Sequence, residues 1–185
     1  VADRIEAEGC VARASRYWET ISPAGHLAVR DCLEGEVDSD PDQAEAWQWL
    51  ANLYLDEYRF GLNSQPDSLD RAINAAARAV SLDADEEWAR LFRLKTYFHR
   101  NAVNIFLAEA ARGVSFNAEN SIFLADLGSY MIFAGETAYG YALIQKSLAL
   151  TPEQPGWHRY SLVAYHYDRG EYDKALSVAE TIKMP

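Results

Sequence analysis

The chain has 185 residues, a formal net charge of −11, and 49% hydrophobic, 12% aromatic and 24% charged side chains. That apolar share supports a core of ordinary size and argues against long-range disorder, while the acidic balance disfavours direct nucleic-acid binding. No apolar run approaches the ~20 residues of a membrane helix, the N-terminus carries no signal pattern, and two Cys cannot staple a chain this long.

No membrane contact is therefore expected, and the cytoplasm is the expected location. Val1, with no initiator Met, reads as a cut inside a longer protein. The charge is unevenly placed, net −12 over residues 1–87 and +1 over 88–185. Solvated helix faces account for this; an electrostatically polar molecule with a partner at each end is the alternative.

In chain order, Ser22-Pro23 reads as an N-cap followed by Pro in the first helical turn, with helices predicted near 2–20 and 23–38. Val37-Asp38-Ser39-Asp40-Pro41 stops the second of these. Trp47, Leu50, Ala51 and Tyr54 then fall at i, i+3, i+4 and i+7, a helical stripe. A loop insertion is predicted over about 56–67, where Gly61, Asn63, Ser64 and Pro66 are turn formers and Tyr58, Phe60 and Leu62 are apolar. A packed flap is expected there, with a binding element as the alternative.

Leu69, Ala72, Ile73, Ala76, Ala79 and Val80 form a second stripe, closed by Val80-Ser81-Leu82-Asp83-Ala84. Arg90, Arg93, Leu94 and Tyr97 make a degenerate version of the first stripe, and Val114-Ser115-Phe116-Asn117-Ala118 is the next stop. Leu124, Leu127, Gly128 and Met131 restate the first stripe. Gly140, Leu143, Ile144, Ser147 and Leu148 restate the second, before Leu148-Ala149-Leu150-Thr151-Pro152. Leu162 with Tyr165 opens another. Gly135 and Gly170 fall in turns between paired helices, where positive φ is favoured. No alternating β-type run occurs, so the chain reads as all-α.

The stops at 41, 84, 118 and 152 are spaced by 43, 34 and 34 residues. This spacing, with Trp47…Leu50-Ala51…Tyr54, Leu124…Leu127-Gly128…Met131 and Ala72…Ala76…Ala79…Asp83-Ala84, resembles the tetratricopeptide repeat (TPR) family. The resemblance implies an α-α superhelix, a solenoid of about five helix-turn-helix repeats at about 2–41, 42–84, 85–118, 119–152 and 153–185, in one domain over 1–185. A second resemblance lies in Asp40-Pro41…Ala44-Glu45-Ala46-Trp47 and Tyr54-Leu55-Asp56-Glu57-Tyr58-Arg59-Phe60. It is to repeat regions in the C-terminal halves of bacterial winged-helix transcriptional regulators and nucleotide cyclases, and implies an effector domain upstream.

In such an array the first helix of each unit lines the concave side. The family phase then puts Gln48, Trp49, Asn52 and Asp56, and Trp88, Phe92, Lys95 and His99, on that groove. Asp126, Ser129 and Phe133 follow from the fourth repeat, and Arg159, Tyr160 and Tyr167 from the fifth. Aromatic and Arg groups are typical anchors for a peptide or helix. The family's clamp for a C-terminal peptide carboxylate is absent: Asn52 matches, but Gln48 replaces a Lys, and Ala125 and Asp126 supply no cation.

Little else carries chemistry. No phosphate-cradling Gly loop or nucleophile elbow occurs. Cys10 and Cys32 fall on the two helices of the first repeat, where two reduced core thiols are expected, a disulfide being the alternative. His158 and His166 are two turns apart, too far to share one metal ion; these and His26 and His99 are expected to be satisfied or solvent-facing. Arg90, Arg93, Lys95 and Arg100 form a basic patch, with Glu86 or Glu87 as ion partners for buried stems.

The sequence therefore predicts a protein-binding scaffold that docks a peptide or partner domain, with neither cofactor nor metal nor catalysis. A ligand-sensing regulatory region is the alternative. The C-terminal repeat lacks a polar capping helix, so pairing with a second copy through a terminal repeat is also expected.

Overall fold

Ser22 caps a helix as its position predicts: its hydroxyl accepts from the Gly25 N–H at 3.2 Å, and Pro23 sits in the first turn. The computed structural model describes residues 9–182 apart from 20, 86, 117, 154 and 155. Residues 2–8 of the predicted first helix, Glu86 and the Lys183–Pro185 end lie outside the described residues. Among those described there are ten α-helices, two 3-10 turns and no strand. No helix among them is long and apolar enough to cross a membrane. The chain divides into two compact units, residues 1–100 and 101–185.

The first unit contains α1 (Cys10–Arg16), a 3-10 turn (Tyr17–Glu19), α2 (Pro23–Ser39), α3 (Ala44–Phe60), α4 (Ser68–Leu82) and α5 (Glu87–His99). Each helix packs on its chain neighbour, and α3 also lies against α1 and α5. Ala46, Leu50, Leu53, Ala72, Ala76 and Leu33 form the core, with alanines on α4 where α3 comes close. The degenerate stripe on α5 is corrected: Ala89, Leu91, Phe92 and Leu94 are its buried apolar residues, while Arg90 and Arg93 are half-buried.

The loop predicted over 56–67 is shorter, because α3 runs on to Phe60 and ends at Gly61, whose φ of 66° suits a helix stop. Partners from outside the helix hold Glu57 buried near its end. Glu57 accepts from Arg30 at 3.0 Å, from Arg71, and from the Gln65 N–H at 3.1 Å. The remaining loop is packed: Asn63 donates to the Pro23 carbonyl at 2.6 Å, and its own carbonyl accepts from Arg30 at 3.1 Å. Tyr58 and Phe60 nevertheless stay in solvent.

The second unit contains α6 (Val103–Phe116), α7 (Ser121–Phe133), α8 (Thr137–Leu150), a 3-10 turn (Gly156–Arg159), α9 (Tyr160–Asp168) and α10 (Tyr172–Glu180). Asn120 caps α7, accepting from the Phe123 N–H at 3.0 Å. Gly135 and Gly170 take φ of 95° and 72° in the α7–α8 and α9–α10 turns, as predicted. Gly128 and Gly140 bring α7 and α8 into backbone contact. A Cβ on Gly140 would stand 2.5 Å from the Gly128 carbonyl and 2.8 Å from the Ile132 nitrogen. Phe123, Leu124, Leu127, Ile144 and Leu162 are buried in this unit.

Candidate functional site

Gln48, Asn52 and Asp56 recur every four residues along α3 and so share a face; Trp49 stands beside them. On α5, Trp88, Phe92, Lys95 and His99 follow the same helical spacing. The fold brings the two sets together. The Trp88 ring stacks on Phe92 with centroids 6.1 Å apart, and Trp49 tilts onto the same ring at 6.3 Å. Asn52 donates to Asp56 at 3.3 Å, and Arg59 donates to the other Asp56 oxygen at 3.4 Å.

These side chains do not form an open surface. Gln48, Asn52, Asp56, Phe92 and Lys95 are all buried, and Trp49, Trp88 and His99 are half-buried. Sequence reasoning missed what helps to cover them. Tyr17 is buried near the Asp56 charge, and the Trp18 ring centroid lies 5.8 Å from Lys95 Nζ. An adjacent aromatic pair just ahead of the Ser22-Pro23 helix start was the available signal.

Burial raises the Asp56 pKa, opposed by the positive charges of Arg59 and Lys95 and by the hydrogen bond from Asn52. Burial, with Arg59 and Lys95 nearby, pushes His99 down to about 4, so it is neutral at neutral pH. The Tyr58 and His99 rings lie 5.7 Å apart beside an open cleft of about 450 Å³, lined also by Asp67, Ser68, Leu69, Asp70 and Arg100.

In the second unit Asp126 is buried, and the Ser129 hydroxyl is engaged, 2.8 Å from the Ala125 carbonyl and 2.9 Å from the Ser161 hydroxyl. Arg159 is tied to the Pro152 carbonyl at 3.2 Å. Phe133, Tyr160 and Tyr167 are exposed, with Tyr167 edge-on to Tyr172 at 5.3 Å.

Two expectations are corrected. Cys10 and Cys32 are joined in a disulfide, their Cα atoms 5.6 Å apart, rather than standing as reduced thiols; the α1–α2 pairing sets them at bridging distance. The basic patch does not exist as a surface: Lys95 is buried, Arg90 donates to the Ala84 carbonyl, and Arg100 pairs with Asp70. His26 is satisfied, donating to the Leu53 carbonyl at 3.0 Å and accepting from Asn63 at 3.2 Å. His166 faces Glu171 at 2.7 Å and holds that carboxyl below its ordinary range. Among the described residues no group of three or more His, Cys, Asp or Glu could hold a metal ion.

No family model and no curated protein matches the chain. Solved structures do. The thermophilic TPR protein TTC0263 of Thermus thermophilus is 16% identical, with a TM-score of 0.73 over 93% of this chain and 88% of its own. A crystal structure of MamA is 18% identical, with a TM-score of 0.59 over 85% of this chain and 86% of its own. A structure of MamA from MSR-1 is 15% identical, with a TM-score of 0.58 over 93% and 89%. The chain thus has the all-α helical-repeat fold of tetratricopeptide proteins, as the 34-residue spacing implied.

Proposed function

We propose that the chain is a protein-interaction scaffold, docking a peptide or partner domain on the faces of its first helices and performing no chemistry on it. The observation that carries this reading is the set of large rings left in solvent on the second unit. Phe133, Tyr160 and Tyr167 are 47%, 64% and 63% exposed. Tyr160 and Tyr167 lie seven residues apart on α9 and so share a face. Rigid aromatic rings bury much area for little lost rotamer entropy, which makes them effective anchors. In the first unit the Gln48–Asp56 and Trp88–His99 faces are covered in this structure, so docking there requires the cover to move; Asp126, Ser129 and Arg159 are the further candidates of the second.

The test is capture of partners from a native lysate by the unaltered chain and by a Tyr160→Ala/Tyr167→Ala variant. A partner should be lost from the variant, about tenfold or more in affinity, with circular dichroism unchanged. Equal capture by both forms would sink the reading.

The ligand-sensing alternative would use the open cleft beside Tyr58 and His99. A reproducible rise of several degrees in melting temperature with one metabolite would favour it. Exposed Tyr172 and Leu176 on α10 support pairing with a second copy, which a monomeric mass at high concentration would exclude. The disulfide bears on location, since such bonds persist in oxidising surroundings; we therefore place the chain in an oxidising compartment rather than the expected cytoplasm.

A further inference from the structure

The polar face of α3 is covered in a way its own chemistry does not demand. Gln48, Asn52 and Asp56 are at most 3% exposed, and neither Gln48 Oε1 nor Asn52 Oδ1 has a hydrogen-bond partner in the protein. Buried amide oxygens left unpaired are uncommon, because they forfeit their hydration without return. The same face holds a buried carboxylate and, from α5, the buried ammonium of Lys95. This is the composition of a recognition surface rather than of a core.

The cover over its charged end is the first described segment of the chain. Tyr17 is buried in the core near the Asp56 charge, its hydroxyl without a hydrogen-bond partner, and Trp18 lays its ring near Lys95. The Trp18 ring faces the cation at 5.8 Å, a cation–π arrangement it shares with Phe92 at 5.6 Å. The segment that places them is weakly built. The seven residues of α1 are far below the ~12–15 at which a helix holds by itself. Its N-cap, Gly9, makes no side-chain cap hydrogen bond, and no acidic residue occupies its first turn. Burial of Ala14 and Tyr17 holds it noncovalently, and the Cys10–Cys32 bond ties its first residue to the middle of α2. The helices beneath it, α2 to α5, run for 13 to 17 residues and have no such dependence.

We propose that residues 10–19 are a redox-held strap, in which Tyr17 and Trp18 occupy the groove of the first unit until a dithiol reductant cleaves Cys10–Cys32 and frees it. The step is two-electron thiol–disulfide exchange. A reductant thiolate attacks one sulfur and forms a mixed disulfide, and the reductant's second thiolate displaces the protein sulfur. The reductant leaves as its own disulfide, and Cys10 and Cys32 end as two thiols carrying the protons that the reductant gave up. The vacated face presents Asp56 and Lys95 between the Gln48 and Asn52 amides. It would take a partner segment that offers an aromatic ring to the ammonium, as Trp18 does, and donors to the two unpaired amide oxygens. That use rests on the docking function proposed above; the opening itself does not.

The test needs no partner, so it stands or fails apart from the docking reading. The oxidised protein, the protein reduced with dithiothreitol, and a Cys10→Ser/Cys32→Ser variant are treated with an amine-acylating reagent. The modified lysines are then read by mass spectrometry. Lys95 should be acylated at least tenfold faster in the reduced and variant forms, while Lys146 and Lys174, already exposed, react at equal rates in all three. Circular dichroism should lose no more helix than α1 and its 3-10 turn contain. Lys95 as protected after reduction as before would overturn the proposal. So would cooperative loss of α2 to α5 on reduction, since the bond would then fasten the whole unit rather than a strap.

Discussion

The two units are built from the same helical hairpin and hold it together by different means. In the first, α3 carries charge inward: Glu57 is fully buried between Arg30 and Arg71, and buried Asp56 accepts from Asn52 and Arg59. In the second, α7 and α8 meet through Gly128 and Gly140, backbone against backbone, with Ile132 and Ile144 filling the sides. The 34-residue pattern prescribes the hairpin and leaves the filling open. An ion network is unforgiving when one member is lost, because the others remain buried and unpaired. A close backbone contact is unforgiving when an atom is added.

The largest expected effect breaks the first unit alone. Glu57→Ala leaves Arg71 without its carboxylate and buried Arg30 with only the more exposed Asp31 and Glu34, and should cost about 3 kcal/mol. Hydrogen exchange should then quicken in α2, α3 and α4 and stay slow in α7 and α8; uniform quickening would show that the ion network is not local to the unit. The mirror experiment is Gly140→Ala. The new Cβ clashes with backbone that has no rotamer to yield, and about 1–3 kcal/mol should be lost on urea denaturation, with exchange quickening in α7 and α8.

Smaller effects sharpen the contrast. Ser22→Ala removes the cap on α2 and should cost about 1 kcal/mol, seen as a lower urea midpoint. The pH dependence separates the units in another way. His99 titrates at about 4 in the fold against 6.5 unfolded, so the unfolded chain binds more protons between those values. Stability from this group is therefore fully present above pH 6.5 and falls as pH drops toward 4. His99→Gln should flatten the fall of melting temperature across that window; an unchanged slope would show that His99 is not its source. Asp56 acts with the opposite sign, its raised pKa favouring the fold at low pH, so the Gln variant should be measured with Asp56 intact.

Much of this was legible in residue types. Ser22-Pro23, Gly135 and Gly170 announce helix ends through local chemistry, and the alanines of α4 and the two glycines of α7 and α8 announce close approach. Local rules suffice there because capping and positive φ act within one turn. The candidate groove was legible only as a list. The spacing places Gln48, Asn52 and Asp56 on one face, and Trp88, Phe92, Lys95 and His99 on another. No spacing reveals that a segment some thirty residues upstream lies over them. The length of α3 escapes the sequence for the same reason: Gly61 is visible as a stop, but the partners of buried Glu57, Arg30 and Arg71, come from distant helices.

An all-helical repeat chain and its turn positions follow from residue types alone, since periodicity and capping are local properties. Only the tertiary structure decided that Cys10 and Cys32 are bonded, that Lys95 is covered rather than part of a basic patch, and that Phe133, Tyr160 and Tyr167 are left in solvent. Those outcomes depend on which helices meet, and contact between distant segments is set by packing the whole unit rather than by any stretch within it.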